Sequence, residues 1–165
     1  MERKIYWNTL VALHKHINYL QLYVHKCDRL DNSINMLVAI ASSASIATWA
    51  VWDKYPFVWG GIIASSQVIT AIKPYFPYAE RKKAAFNLYK GLSSLSIECD
   101  RTWFDIASKK LSKDQIREVA FNLQEKKNKM KEQHLKGMIL PINEKLSIKA
   151  EEILQVHLNN NFYFK

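Results

Sequence analysis

The run SINMLVAIASSASIATWAVW, Ser33 to Trp52, carries no charged residue, and neither does YPFVWGGIIASSQVITAI, Tyr55 to Ile72. Only Asp53 and Lys54 separate them. A helix rises about 1.5 Å per residue, so twenty residues match the roughly 30 Å hydrocarbon core of a bilayer. The pair therefore reads as a transmembrane helical hairpin with spans at 33–52 and 55–72. Trp49, Trp52, Tyr55, Phe57 and Trp59 gather at the turn, and Tyr75, Phe76 and Tyr78 follow the second run. Such rings concentrate where hydrocarbon meets headgroups. Pro56 suits a first helical turn, where its missing N–H forfeits no bond. Lys73-Pro74 closes the second helix. The competing reading is a buried hairpin in a helical bundle, favoured by the Ser, Thr and Gln content of both runs.

Outward from the hairpin the chain is polar and strongly basic, with a net charge of +9 over 165 residues. Lys and Arg lie before and after the hairpin, while its turn holds Lys54 offset by Asp53. Basic residues stay on the cytoplasmic side of a membrane. The expectation is thus an inner-membrane protein with both termini cytoplasmic and basic flanks against anionic headgroups. No signal peptide precedes the first apolar run. Four Gly and four Pro in the whole chain favour helix throughout. Cys27 and Cys99 are isolated, and each reads as a buried, reduced thiol.

The expected fold is an all-α membrane protein, a two-helix transmembrane hairpin with long coiled-coil-like helices at both ends. Its divisions are an N-terminal helix at 1–32, the hairpin at 33–76 and a helical region at 77–165. In the first arm Leu10, Leu13, Ile17, Leu20, Val24 and Cys27 alternate steps of three and four, the seam of a helix that packs along another. Leu88, Leu92, Leu95, Cys99, Thr102 and Ile106 repeat the pattern, so the two arms are expected side by side or against other copies. Ser112 with Gln115 forms a capping box for a further helix that Gly137 ends. Asn143 caps a last helix from Glu144 to about His157. The tail NNNFYFK reads as a docking peptide or a patch that packs back.

No Walker A, GxGxxG, GxSxG, HExxH or CxxC pattern is present, so no catalytic site, metal or cofactor is expected. His14 and His16, two apart, point in different directions on a helix. Glu98, Asp100 and Asp105 read as a solvated ion-pair face. The candidate functional residues lie in the hairpin. Ser42, Ser43, Ser45 and Ala47 in the first run, and Gly60, Gly61, Ser65, Ser66, Gln67 and Thr70 in the second, make small or polar ridges. Such ridges serve helix packing, or line a pore shared by several copies. Arg81, Lys82 and Lys83 are candidate headgroup or nucleotide contacts. Basic charge alone does not imply specific nucleic-acid binding.

The basic arm with CDRLDNSINMLVAIASSASI, the short turn, the KPYFPYAERKKAAFNLYK stretch and the late LPINEKLSIKAEEIL segment together resemble the bacterial SLATT family, the SMODS and SLOG-associating two-transmembrane effectors. The resemblance covers roughly residues 5–155. It implies an antiphage effector that a sensor or nucleotide-signal partner switches on, that oligomerises, and that permeabilises or depolarises the inner membrane in abortive infection. The alternatives are a constitutive oligomeric ion channel, for which Asp53 is the sole acidic candidate at the turn, and a membrane scaffold or regulator that recruits a cytosolic partner.

Overall fold

The structure, a computed structural model, describes residues 1–47, 56–72 and 78–162. It also describes the side chains of these, except those of residues 41–47, Pro56, Trp59, Ile62 and Ile72. Five α-helices account for nearly all of it: α1 Glu2–Ala47, α2 Pro56–Ile72, α3 Tyr78–Ala107, α4 Lys113–Leu135 and α5 Glu144–Asn161. There is no strand among the described residues.

The chain forms two compact units. The first joins Met1–Val24 to Arg81–Lys165, and the second is His25–Glu80. In the first, the stripes expected from the sequence are the core. Leu10, Leu13 and Leu20 of α1, Leu88, Leu92 and Ile106 of α3, and Leu154 of α5 are wholly shielded from water. Ile116, Ala120 and Leu123 add the inner face of α4. Burying a leucine stabilises by about 1.5–3 kcal/mol, so the three- and four-residue spacing is the main reason these helices associate. α1 and α3 do run alongside one another, because the Tyr6 hydroxyl donates to the Cys99 carbonyl at 2.9 Å across a buried contact. Cys27 and Cys99 are both buried and neither forms a disulfide, as the sequence suggested.

Local chemistry sets the helix ends. Ser112 Oγ accepts from the Gln115 amide at 3.3 Å, and Gln115 Oε1 accepts from the Ser112 amide at 2.8 Å, which completes the capping box that opens α4. At its other end Lys136 and Gly137 both take positive φ, 48° and 80°. Gly137 adopts that backbone at no steric cost. Asn143 Oδ1 accepts from the Leu146 amide at 3.1 Å and opens α5. Tyr19 ties the preceding connector to α1. Its hydroxyl donates to the Pro141 carbonyl at 2.8 Å and accepts from the Asn143 amide at 3.1 Å.

The expected transmembrane hairpin is corrected. No helix among the described residues is long and apolar enough to cross a membrane. α2 has 17 residues and so extends about 26 Å, and Ser65, Ser66, Gln67 and Thr70 dilute its apolar content. Upstream of Ser33, α1 carries Asp28, Arg29 and Asp31, and Asn32 and Asn35 follow closely, so no long apolar window opens within the helix. The end of the first expected span, from Thr48 onward, lies outside the described residues. The membrane-protein fold, the pore-forming hairpin and the assignment to the bacterial inner membrane with both termini cytoplasmic all relied on those spans and fall with them. The all-helical architecture stands.

Candidate functional site

Within the second unit, His25–Glu80, the described residues are buried in narrow stripes. On α1 Ile34 and Val38 are half-buried, one turn apart, and on α2 Ile63, Ser66 and Ile69 repeat at three-residue steps. Around those stripes large apolar side chains face outward. Met36, Leu37 and Ile40 are exposed on α1, and Phe57, Val58 and Val68 on α2, with Met36 at 66 % and Phe57 at 92 %. Exposed apolar residues scattered singly are ordinary, whereas a contiguous patch of them is the usual mark of an interaction surface. The unit is also electrically balanced. Lys26, Arg29, Lys54 and Lys73 offset Asp28, Asp31, Asp53 and Glu80, so the whole net charge of +9 belongs to the other unit, with 20 Lys and Arg against 11 Asp and Glu.

The small and polar residues singled out in the sequence divide into two groups. Ser42, Ser43, Ser45 and Ala47 fall in the last turns of α1, but their side chains lie outside the described residues. On α2, Gly60, Gly61, Ser65, Gln67 and Thr70 are exposed and Ser66 is half-buried. The hydroxyls turn back onto their own helix. Ser65 donates to the Gly61 carbonyl at 2.7 Å, Ser66 to Ile63 at 2.8 Å and Thr70 to Ser66 at 2.8 Å. A hydroxyl satisfied in this way presents mainly its carbon to a neighbour, which suits packing. Among the described residues a Cβ at Gly60 or Gly61 would meet nothing within 4 Å, so neither glycine is required by a close approach made there.

Arg81 and Lys82 are half-buried and Lys83 is exposed, at the start of the charged unit. The Arg81 Nε is buried without a hydrogen-bond partner among the described residues.

The bundle contains a polar group that the sequence did not reveal. His14 is 8 % exposed. Its Nε2 lies 2.9 Å from Asp100 Oδ1. The carboxylate can only accept, so this nitrogen carries the proton when the imidazole is neutral. His157 of α5 stacks obliquely on His14, with ring centroids 4.7 Å apart. Burial holds His157 below the usual imidazole range, the His14 charge adds to this, and Asp100 partly opposes it. Asp100 is therefore corrected from a solvated ion pair to an interhelical partner. Glu98 and Asp105 do behave as exposed ion pairs, with Lys126 at 2.6 Å and Lys110 at 2.9 Å. Of the C-terminal tail, Phe162 packs against the bundle: it meets Trp7 edge-on at 5.4 Å and stacks on Phe104 at 6.0 Å, and residues 163–165 lie outside the described residues.

A cleft of about 340 Å³ opens beside this core, with Tyr6, Cys99 and Thr102 at its base and Glu98, Lys126 and Lys129 at its rim. Burial pushes the Cys99 thiol up to about 12, with Glu98 adding to the effect, so it remains a neutral thiol and not a nucleophile at ordinary pH. Burial likewise raises the Tyr6 phenol. Among the described residues no group of three or more His, Cys, Asp or Glu is placed to hold a metal ion.

Comparison with known protein families, with curated proteins and with solved structures gives no match to this chain.

Proposed function

We propose that the chain is a non-catalytic assembling effector: copies associate through the hairpin unit, His25–Glu80, and the basic bundle is where a controlling partner acts. The observation that carries this reading is the outward apolar group Met36, Leu37, Ile40, Phe57, Val58 and Val68 on a unit of zero net charge. Covering apolar surface stabilises by about 25 cal/mol per Å² removed from water. A second copy is the occupant that the charges favour. A hairpin-to-hairpin contact joins neutral partners, whereas bundle-to-bundle contact would bring together two units that each carry the full +9. The self-satisfied hydroxyls and bare glycines of α2 add a face able to approach another helix closely. Control by a sensor or nucleotide-signal partner, and arrest of growth in a bacterial conflict system, are contributed by the SLATT resemblance alone. Membrane crossing forms no part of the reading.

Light scattering on the full chain over a concentration series tests it. The expected mass is a multiple of the 19.3 kDa protomer, and Phe57→Asp or Val68→Asp returns it to the protomer with the helical spectrum intact. A mass of one protomer at every concentration, or an assembly indifferent to both substitutions, would refute the reading.

A further inference from the structure

Where α1, α3 and α5 meet, two imidazoles share one carboxylate. His14 Nε2 lies 2.9 Å from Asp100 Oδ1, and the His157 ring lies against His14 with centroids 4.7 Å apart. The tautomer of His157 is set by its own helix. Asn161 Nδ2 donates to the His157 carbonyl at 2.9 Å, which marks that atom as the amide nitrogen, and it lies 3.2 Å from His157 Nδ1. Nδ1 therefore accepts, and the neutral ring carries its hydrogen on Nε2. That Nε2 is buried and has no hydrogen-bond partner among the described residues. Phe162, the C-cap of α5, has its ring centroid 5.9 Å from His157 and 5.4 Å from Trp7, so the same turn seats the helix end on the bundle.

We propose that His14, Asp100 and His157 form an acid-sensitive latch, which holds the last turn of α5 against α1 and α3 and releases it when His157 takes up a proton. The proton must go to Nδ1, the ring nitrogen without a hydrogen, and this sets a second donor against the Asn161 amide. The new charge also lies against His14. Asp100 can neutralise one imidazolium, and it is already engaged with His14. The carboxylates nearest along α3 and α5 are taken or solvated: Glu98 is matched to Lys126, Asp105 to Lys110 and Glu151 to Lys15, and Glu152 is exposed. A charge drawn out of water without a partner is costly, and a helix end is the part of a bundle that opens most readily. The titratable groups that act on His157 are His14 of α1 and Asp100 of α3. Burial and then His14 lower its imidazole, with Asp100 partly opposing, which is the direction the latch requires. Release uncovers Trp7 and the face of Phe104, aromatic surface against which Phe162 packs in the closed form.

Backbone hydrogen exchange of the full chain at pH 7.5 and 5.0, with intrinsic rates divided out, tests the latch. A released histidine titrates near 6.5, so acidification to pH 5.0 favours the open form by up to about thirtyfold. Protection of amides 158–162 is expected to fall several-fold toward that ceiling. These amides should exchange faster than those of residues 88–99 in α3 at both pH values, which marks a local opening of the helix end. His157→Phe and His157→Gln cannot take the proton, and in each the same amides should be indifferent to pH. The imidazole nitrogen resonances of wild type give a reading that needs no variant: His157 should gain its proton over the pH range in which the Phe162 signals move. Protection unchanged at pH 5.0, a fall that persists in both variants, exchange of the helix end only at the rate of the α3 core, or a His157 that stays neutral while the helix end opens would each overturn the proposal.

Discussion

Acidification should destabilise this protein through one imidazole, and the size of the effect follows from its surroundings. His16 binds its proton near pH 6.5 in the unfolded chain, but only near pH 4 in the folded one, where burial and two lysines oppose the charge. Between these values the unfolded state holds more protons, so stability rises with pH across that window and falls as acid is added. Each unit of separation is worth about 1.4 kcal/mol, so lowering the pH from 7.5 to 4.5 removes about 2.5 kcal/mol, a large share of a typical total. Other groups act in the same direction. Burial lowers the His157 imidazole too, and Glu2 and Glu151 sit below the usual carboxylate range. The informative quantity is therefore the difference between wild type and His16→Gln. Urea unfolding of both at pH 7.5 and 4.5, without phosphate, should show the wild type losing about 2.5 kcal/mol more than the variant. Equal losses would mean that His16 is solvated, and that the lysines opposite do not act on it.

Other predictions concern single contacts. Gly91→Ala should raise the melting temperature: a Cβ there lies 3.5 Å from Met130 Sδ, an ordinary contact, and alanine gains up to about 1 kcal/mol in a helix interior. A fall would mean that α3 and α4 need the bare Cα. Ser112→Ala should lower stability to urea by about 1 kcal/mol through loss of the cap on α4, and no change would show that the hydroxyl's bond to Gln115 is replaced by water.

The helices of the bundle were legible because their signals are local or periodic. A seam of three- and four-residue steps from Leu10 onward identifies the buried side of α1 with no knowledge of its partner, and all of its members are buried. The Ser112 and Asn143 caps need only four residues each. His14, Asp100 and His157 were invisible for the opposite reason, since Asp100 and His157 lie 86 residues or more from His14 and the three meet only when three helices pack. Counting uncharged residues between Ser33 and Ile72 misled because absence of charge is a weaker condition than apolarity. Serine, asparagine and glutamine satisfy the first without supplying the second, and the helix length that remains is short. Of the aromatic residues that the sequence gathers at the ends of the two runs, the structure describes the side chains of Phe57 and Tyr78, and both are exposed.

The claim that this surface joins copies is tested most directly by backbone hydrogen exchange at low and high protein concentration. Amides of α2, residues 56–72, should become more protected as concentration rises, while those of α3 from Arg81 and of α5 keep the same rates. Exchange in α2 that ignores concentration, or new protection confined to the bundle, would contradict the account.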